Sequence, residues 1–343
     1  MVTLSRRLAG TMLGALALAA TSAIPAAAQA NFYEGKQIRL IVGSSTGSTY
    51  DFYARLVARF LPKHIPGNPT IVVQIMTGAS GIIASNYVFN VAPKDGTVIL
   101  GAHSSMALAQ ITDVPNLEYD ARKFSFIGRT ASAGHDLHYV TSSLDVTKFD
   151  DLLKREVIVG GTGPTSNSVI LPTAINQLMG GKLKIMKGYK GTADTALAFE
   201  RGEIQMGLQP WDLLSSKHPD WIRDKKVNLL VQYNLERHPQ LPNVPTIIDV
   251  STTEEQKQVW RMLLRPVAIG YAYGVAPIPA DRLAILRKAF DDMVKDPEFI
   301  AEAAKANLAV DPMSGAELDK VAADMFKADP KTVATVKTLM SPP

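Results

Sequence analysis

Short apolar runs alternate with longer amphipathic segments along residues 37–101. The runs have the length of buried strands, whereas the longer segments repeat apolar residues at the three- and four-residue spacing of a helix. Phe52, Leu56, Val57 and Phe60 show this helical spacing. The pattern predicts strands over 37–42, 70–74 and 97–101, and helices over 50–61 and 81–91. This alternation predicts a mostly parallel sheet with helices on both faces.

The alternation restarts near residue 157 and predicts a second α/β unit. We expect its strands over 157–160, 183–187 and 204–208, and its helices over 169–179 and 192–201. The strand-like segments 126–140 and 227–233 flank this block and are expected to carry the chain across and back. The remaining sequence features are a Pro-rich turn at 238–245, an apolar segment at 267–276, and two or three amphipathic helices ending near Lys337.

The predicted fold class is therefore α/β, with two α/β domains joined by a two-strand hinge. Residues 31–133 and 232–343 would form lobe 1, and residues 134–231 would form lobe 2. In open sheets of this kind, ligands bind beyond the carboxyl ends of the strands. The loops that follow these strands are thus the first place to look for a site.

The first thirty residues have the layout of a secretory signal peptide. Arg6 and Arg7 precede an apolar, uncharged run over 8–24, and Ala28-Gln29-Ala30 supplies small residues for cleavage before Asn31. An uncleaved membrane anchor is the alternative. No second apolar run is long enough to span a bilayer, so we expect an exported protein that begins near Asn31.

Composition narrows the function classes. The 343-residue chain has no cysteine, which excludes disulfides, a thiolate nucleophile and cysteine-ligated metals. Its 36 Lys and Arg against 32 Asp and Glu give a formal charge of +4, and loss of two leader arginines leaves +2. Basic and acidic residues are interleaved, which argues against nucleic-acid binding.

Three loops rich in Gly, Ser and Thr lie where a predicted strand meets a helix, at 42–51, 77–81 and 160–168. A helix start presents backbone N–H groups without intrahelical partners and the positive end of the helix dipole, so it binds anions. As ordinary connections with caps, the same loops would have only structural roles. The candidate ligand residues in them are Ser45, Thr46, Gly47, Ser48, Thr49, Gly78, Ser80, Gly161, Thr162, Gly163, Thr165, Ser166 and Asn167.

Five further residues lie at the same predicted edges. Asp51 would either cap the first helix or touch a polar ligand group. His103 and Ser104 follow the strand at 97–101, where a histidine contacts ligand or is a hydrogen-bonded structural residue. Gln209 and Trp211 follow the strand at 204–208, where the indole either packs or walls the pocket against an apolar ligand body.

Two other kinds of site, a serine nucleophile and a histidine metal site, match parts of the sequence. Residues 43–47 match the G-x-S-x-G nucleophile elbow around Ser45, but the motif follows the first strand, and about a hundred residues follow the last histidine, His238. An exported serine hydrolase is therefore the alternative function from a different class. His135 and His138 have a spacing that points them to opposite faces of a strand, so a metal site is not expected.

Several segments together resemble the substrate-binding proteins of tripartite tricarboxylate transporters, the Bug-type receptors. Residues 36–51 are similar to that family's opening strand and glycine loop ending in Asp, and residues 77–81 to its Gly-Ala-Gly-Gly turn. The other matching segments are Pro93-Lys94-Asp95-Gly96, Gly160 to Ser166, Tyr189-Lys190-Gly191 and Arg237 to Thr246, which follows Arg-x-Pro-x-Leu-Pro-x-Val-Pro-Thr. The resemblance covers essentially the whole chain after the leader.

This resemblance implies a type II-like, two-lobed periplasmic binding protein without enzymatic activity, cofactor or metal. It would bind a small organic carboxylate, aliphatic or aromatic, through backbone amides and ordered waters of the loops 45–49 and 161–166. As a monomer, it would deliver this acid to the membrane permease subunits of a tripartite transporter, or alternatively present it to a membrane sensor. Ser48 and Thr49 stand where the family usually has glycine, and Val169 where it commonly has histidine.

Overall fold

The computed structural model describes residues 32–44, 46–162, 166–189 and 192–340. The predicted signal peptide, 1–30, and the site candidates Ser45, Gly163 and Thr165 lie outside these residues. The strands are β1 Gln37–Val42, β2 Thr70–Ile75, β3 Val98–Ala102, β4 Ser125–Arg129, β5 Asp136–Thr141, β6 Glu156–Gly161, β7 Lys182–Lys187, β8 Met206–Pro210, β9 Val227–Tyr233, β10 Ala272–Val275 and β11 Met313–Ser314.

Helices cover both sheets formed by these strands. In chain order they are α1 Thr49–Phe60, α2 Ile82–Asn90, α3 Met106–Ile111, α4 Phe149–Leu152, α5 Asn167–Met179, α6 Thr192–Glu200, α7 Trp211–Lys217, α8 Pro219–Arg223, α9 Glu254–Ile269, α10 Ala280–Met293, α11 Pro297–Lys305, α12 Gly315–Met325 and α13 Pro330–Met340. Short 3-10 turns lie at Leu61–His64, Ala79–Gly81 and Ala121–Lys123. None of the described helices combines the length and apolar content that crossing a membrane needs.

The strands form two sheets with matching strand order. The first sheet runs β11-β4-β10-β3-β1-β2 and the second runs β7-β6-β8-β5-β9. In each sheet one strand lies between two parallel partners: β1 lies between β2 and β3, and β6 lies between β7 and β8. An antiparallel strand then follows, β10 beside β3 and β5 beside β8. The prediction of two α/β units is confirmed, although each sheet is mixed rather than mostly parallel.

Most predicted strands and helices lie within two residues of the observed ones, but four expectations need correction. The segment 126–140 is two strands in different sheets, so residues 130–135 connect the sheets. The strand expected over 204–208 is β8, two residues later. The apolar segment 267–276 is shared between the end of α9 and β10, and α9 itself was not predicted. Four helices, α10 to α13, follow β10 rather than two or three.

The two lobes share part of their apolar core. One cluster of buried side chains includes Leu100 of the first sheet and Val231 of the second, together with Trp260 of α9. Trp260 packs 5.9 Å from Tyr233 between ring centroids. Gln256 Nε2 of α9 also donates to the Leu178 carbonyl of α5 at 2.8 Å. The helices that follow lobe 2 in the chain therefore hold the two sheets against each other on one side.

Candidate functional site

Loops at equivalent positions of the two sheets form the candidate site. The first loop follows β1 and leads into α1, and the second follows β6 and leads into α5. Each of these strands, β1 and β6, lies at a point of its sheet from which the chain connections leave in opposite directions. Open α/β sheets bind ligands at such points. The structure therefore places the candidates of the first and second loops at corresponding points of two lobes.

A buried carboxylate holds the first loop. Ser48 is the N-cap of α1, and its hydroxyl accepts from the Asp51 N–H at 3.3 Å. Asp51 Oδ2 accepts from the Gly47 N–H at 2.8 Å, and Oδ1 pairs with Arg55 Nε at 2.9 Å. Burial alone would raise the pKa of Asp51, but the Gly47 and Arg55 contacts outweigh it and lower the pKa. Asp51, only 1% exposed, thus has the capping role that the sequence left open.

Around that cap, the loop presents backbone to solvent. Thr46, Gly47 and Thr49 are exposed, and Gly47 has a φ of +80° with open space around it. Among the described residues, no acceptor takes the backbone N–H of Thr49 or Tyr50, the first two positions of α1. The helix start therefore has donors available to an anion.

The turn before α2 lies directly beside this loop. A Cβ on Gly43 would be 2.6 Å from the Gly81 Cα, so the two backbones touch. Four consecutive residues have positive φ: Gly78 at 136°, Ala79 at 45°, Ser80 at 51° and Gly81 at 85°. For Ala79 and Ser80 this conformation costs roughly 1 kcal/mol each. The candidate Ser80 is exposed at the tip of this strained turn.

Aromatic rings line the edge of lobe 1 beside the first loop. His103 stacks on Tyr50 with centroids 5.2 Å apart, and Tyr50 meets Tyr271 edge-on at 4.9 Å. The Tyr50 hydroxyl accepts from the Ser104 N–H at 3.1 Å. His103 Nδ1 lies 2.7 Å from Ser105 Oγ and 3.4 Å from the Ser105 backbone nitrogen. Burial lowers the pKa of His103, which favours the neutral ring.

A hydroxyl cluster, instead of a carboxylate, holds the second loop. Ser168 Oγ accepts from the Thr162 N–H at 3.0 Å and lies 2.9 Å from Ser166 Oγ. Gly161 carries no side chain because Val169 occupies that space: a Cβ there would be 2.6 Å from Val169 Cγ2. Ser168 was not among the sequence candidates. Its i+2 and i+6 spacing from Ser166 and Thr162 was the available signal.

Asn167 occupies the first position of α5, and its side chain reaches another strand. Its Nδ2 donates to Asp136 Oδ2 at 3.0 Å. Asp136 begins β5, immediately after the connection between the sheets, and burial raises the pKa of its carboxyl. Burial is the main cause that raises the pKa of Tyr271 to about 12, the charges of Tyr50 and Asp136 raise it as well, and a hydrogen bond with the Thr49 side chain lowers it. Asp136 thus contacts the start of α5, and Tyr271 lies beside the start of α1.

Sequence reasoning missed Asp136 and Tyr271. Both lie next to the segments that connect the lobes: the Tyr271 backbone exchanges hydrogen bonds with Thr130 and Ala131. A carboxylate at the first position of a strand that follows such a crossing was the available signal for Asp136. Its significance depended on knowing that the strand begins at 136 rather than near 126.

Gln209 and Trp211 differ in their packing and in their hydrogen bonds. Gln209 is 2% exposed, and among the described residues its Oε1 has no hydrogen-bond partner. Trp211 is 8% exposed and packs in the lobe 2 core with Leu137 and Leu214, while its Nε1 donates to Gln240 Oε1 at 2.5 Å. The indole of Trp211 is therefore packed and hydrogen-bonded within lobe 2, and its contact with a ligand stays a prediction.

The histidines of the metal alternative have structural partners. His138 is fully buried, its Nδ1 lies 2.6 Å from the Tyr233 hydroxyl, and burial lowers its pKa to about 3. His135 Nε2 lies 3.0 Å from Asn234 Nδ2. Among the described residues, no group of three or more His, Cys, Asp or Glu side chains has the arrangement of a metal site.

The structure is thus two α/β lobes with matching strand order, each with a loop rich in Gly, Ser and Thr after an equivalent strand. No family model matches the chain. It is 25% identical over 299 residues to a UPF0065 protein of Bordetella bronchiseptica, covering 84% of this chain and 82% of that one. It is also 25% identical over 258 residues to protein BugT of Bordetella pertussis, covering 72% and 76%.

Solved structures show the same architecture. A TctC solute-binding protein from Polaromonas superposes with a TM-score of 0.68 at 18% identity, covering 90% of this chain and 99% of that one. A Rhodopseudomonas palustris protein with adipate superposes with a TM-score of 0.59 at 20% identity, covering 88% and 97%. The predicted resemblance to Bug-type receptors and the two-lobed α/β fold are thus confirmed.

Proposed function

We propose that this protein is a periplasmic solute-binding protein that binds a small organic carboxylate between its lobes and delivers it to a membrane permease of the tripartite tricarboxylate type. The observation that carries the proposal is a pair of helix starts at equivalent points of the two sheets. Thr49 begins α1 after β1, and Asn167 begins α5 after β6. Both helices have unpartnered first-turn N–H groups among the described residues, and such groups bind carboxylates.

In this proposal the candidate residues have different roles in binding the ligand. Backbone N–H groups of the first loop and α1 would hold the anion from lobe 1, with Thr46, Gly47, Ser48 and Thr49 around it. Backbone and hydroxyl groups of the second loop would complete the site from lobe 2. The side chains of His103 and Gln209 would orient the remainder of the ligand.

Ligand groups shared by two lobes favour the closed arrangement, because only that arrangement lets both sets of donors bind at once. A permease can then distinguish the loaded protein from the empty one. No reaction is required of the protein in this scheme. The similarity of the fold to solute-binding proteins, one of them holding adipate, supports the proposal.

A proline substitution tests the backbone donor directly. Thr49→Pro removes the N–H at the first position of α1, where proline fits a helix. The preceding Ser48, at φ −75° and ψ 162°, already has the extended conformation that proline requires of its neighbour. Thr49→Ala is the matched control, because it removes the hydroxyl and keeps the N–H.

Titration calorimetry with succinate, adipate, aspartate and glutamate gives the readout. We expect Thr49→Pro to weaken the tightest of these ligands roughly tenfold or more, since hydrogen bonds to charged groups contribute about 1.5–3 kcal/mol. Thr49→Ala should weaken it less. Equal affinity of Thr49→Pro and the unaltered protein would contradict the assignment of this helix start to the site.

A further inference from the structure

Three of the four sheet edges in the described part of the chain have the usual protections against pairing with another chain: a short strand, lysines or a covering loop. In the first sheet, β11 has only two residues. In the second sheet, β7 carries three exposed lysines, Lys182, Lys184 and Lys187. β9 is covered at one end by a loop, where Gln232 exchanges backbone hydrogen bonds with Pro245 and Ile247 at 2.9 and 3.0 Å. The fourth edge, β2, has none of these protections.

β2 is an edge strand of six residues, Thr70–Ile75, without a charge, a proline or a register shift. The uncharged segment that contains it extends over residues 65–93. Val72 is 42% exposed, and Thr70 and Gln74 are exposed on the same face of the strand. Among the described strands, β2 pairs with β1 alone, so its other side is open. An exposed apolar edge of this kind is a template for another strand.

The backbone groups on the open side of β2 follow from its pairing with β1. The Thr70 N–H donates to the Lys36 carbonyl at 3.1 Å, and the Met76 N–H donates to the Val42 carbonyl at 2.8 Å. Because hydrogen-bonding directions alternate along a strand, the even-numbered residues bond towards β1 and the odd-numbered residues bond away from it. Three residues therefore present their N–H and C=O groups to the open side: Ile71, Val73 and Ile75. No described residue bonds these groups.

A second copy of β2 matches this edge in hydrogen bonding. In an antiparallel arrangement about a two-fold axis, Val73 would pair with its own copy, and Ile71 would pair with Ile75 of the second copy. Each of these pairs would exchange two N–H···O bonds, because they stand at the hydrogen-bonded positions of the ladder. The exposed Val72 would then lie opposite Gln74 of the second copy, which covers part of its apolar surface.

The absence of charge on β2 also favours a second copy. A two-fold contact brings the same surface of both chains together, so side chains of like charge meet across it. Self-pairing of β7 would bring lysines together, which is destabilising. Self-pairing of β2 brings no charges together.

We propose that a second copy of this chain adds to β2, so that the protein forms a two-fold symmetric dimer with one sheet continuous across both copies, rather than the monomer that the resemblance implies. β2 contains none of the candidate residues of the carboxylate site. The dimer and the proposed function therefore stand or fall separately.

Light scattering after gel filtration measures the molar mass of the protein at concentrations from about 1 µM to about 1 mM. We expect the mass to approach that of two chains as the concentration rises. Val72→Lys should raise the dissociation constant of the dimer by about tenfold or more, because it gives β2 the protection that β7 has. Val91→Lys is the matched control, because it makes the same exchange at a side chain that is 69% exposed and lies outside β2. It should leave the dissociation constant within about threefold.

Amide hydrogen exchange identifies the strand that pairs. The N–H groups of Ile71, Val73 and Ile75 should exchange more slowly at high protein concentration than at low concentration, whereas the N–H groups of Val72 and Gln74 should change little. Val73→Pro is a second variant that removes the central N–H of the proposed pairing. An edge strand tolerates proline where its N–H faces the open side, and circular dichroism verifies that each variant is folded. Val72→Lys decides the matter if Val73→Pro does not fold.

A protein that remains monomeric up to about 1 mM would overturn the proposal and leave β2 to a different kind of partner. A dimer that Val72→Lys does not weaken, or that Val91→Lys weakens as much, would overturn it as well, because its interface would lie elsewhere. A mass that grows beyond two chains would do the same, since a two-fold contact closes at two. Carboxylate binding is measured separately by calorimetry, so none of these results contradicts the proposed function.

Discussion

The first and second loops follow equivalent strands of two similar sheets, yet their chemistry differs. In the first, the buried Asp51 carboxylate accepts from the Gly47 N–H through Oδ2 and pairs with Arg55 through Oδ1. In the second, Ser168 organises the loop with neutral hydroxyls, and Asp136 accepts from Asn167 at the start of α5. A buried charged group thus holds the first loop, whereas neutral groups hold the second.

The contrast shows that a shared topology fixes where a site lies and leaves its chemistry to a few side chains. Both strands end at the edge where ligands bind. In lobe 1 the carboxylate is engaged within the helix cap, so the first loop can bind an anion. In lobe 2 the loop is held without a carboxylate, so a separate charge could select among anions. The two lobes would thus recognise different parts of one ligand.

The largest expected difference between the lobes is in their stability at acid pH, because lobe 2 contains the fully buried His138. Its pKa of about 3 in the folded protein lies below the usual 6.5, so the unfolded chain takes up a proton that the folded chain does not. Stability is retained above pH 6.5 and lost as the pH falls towards 3. Between pH 6.5 and 4.5 the expected loss is about 2 kcal/mol.

His138→Gln tests this prediction, since glutamine can bond the Tyr233 hydroxyl without titrating. Melting temperatures between pH 4.5 and 7 should fall less steeply for the variant than for the unaltered protein, even if the variant is less stable at pH 7. Parallel curves would show that another group governs acid unfolding.

The two acids should respond oppositely to the same substitution. Asp51→Asn loses the charge-assisted contacts of a buried carboxylate, so the free energy of unfolding should fall by about 1–2 kcal/mol. Asp136→Asn removes a charge without a partner, so stability should be unchanged or higher. Thermal melts of both variants at pH 7 measure this. Equal losses at the two positions would remove this distinction between the two acids.

Local patterns in the sequence predicted much of the fold and part of the site. The apolar spacing of residues 37–61 located β1 and α1, and the loop composition placed Ser48 and Asn167 in loops that lead into helices. These features depend on neighbours within a few residues. The helix α9 was missed because the apolar run 267–276 concealed its end, where Pro266 lies inside the helix.

Such local patterns could not predict side-chain contacts between residues that are far apart in the sequence. Asp136 and Asn167 are 31 residues apart, and Trp211 and its partner Gln240 are 29 apart. No periodicity indicates that these side chains meet. Asp136 was missed for this reason, because its contact with Asn167 depends on the tertiary fold.

The central claim is that both helix starts bind one carboxylate. The most direct test follows the backbone amide NMR signals of Thr49 and Asn167 in ¹⁵N-labelled protein during titration with the tightest ligand of the calorimetric series. We predict that both signals shift along the same binding curve, with the large changes expected of N–H groups that donate to an anion. A shift at only one of these amides, or at neither while the ligand binds, would contradict the account.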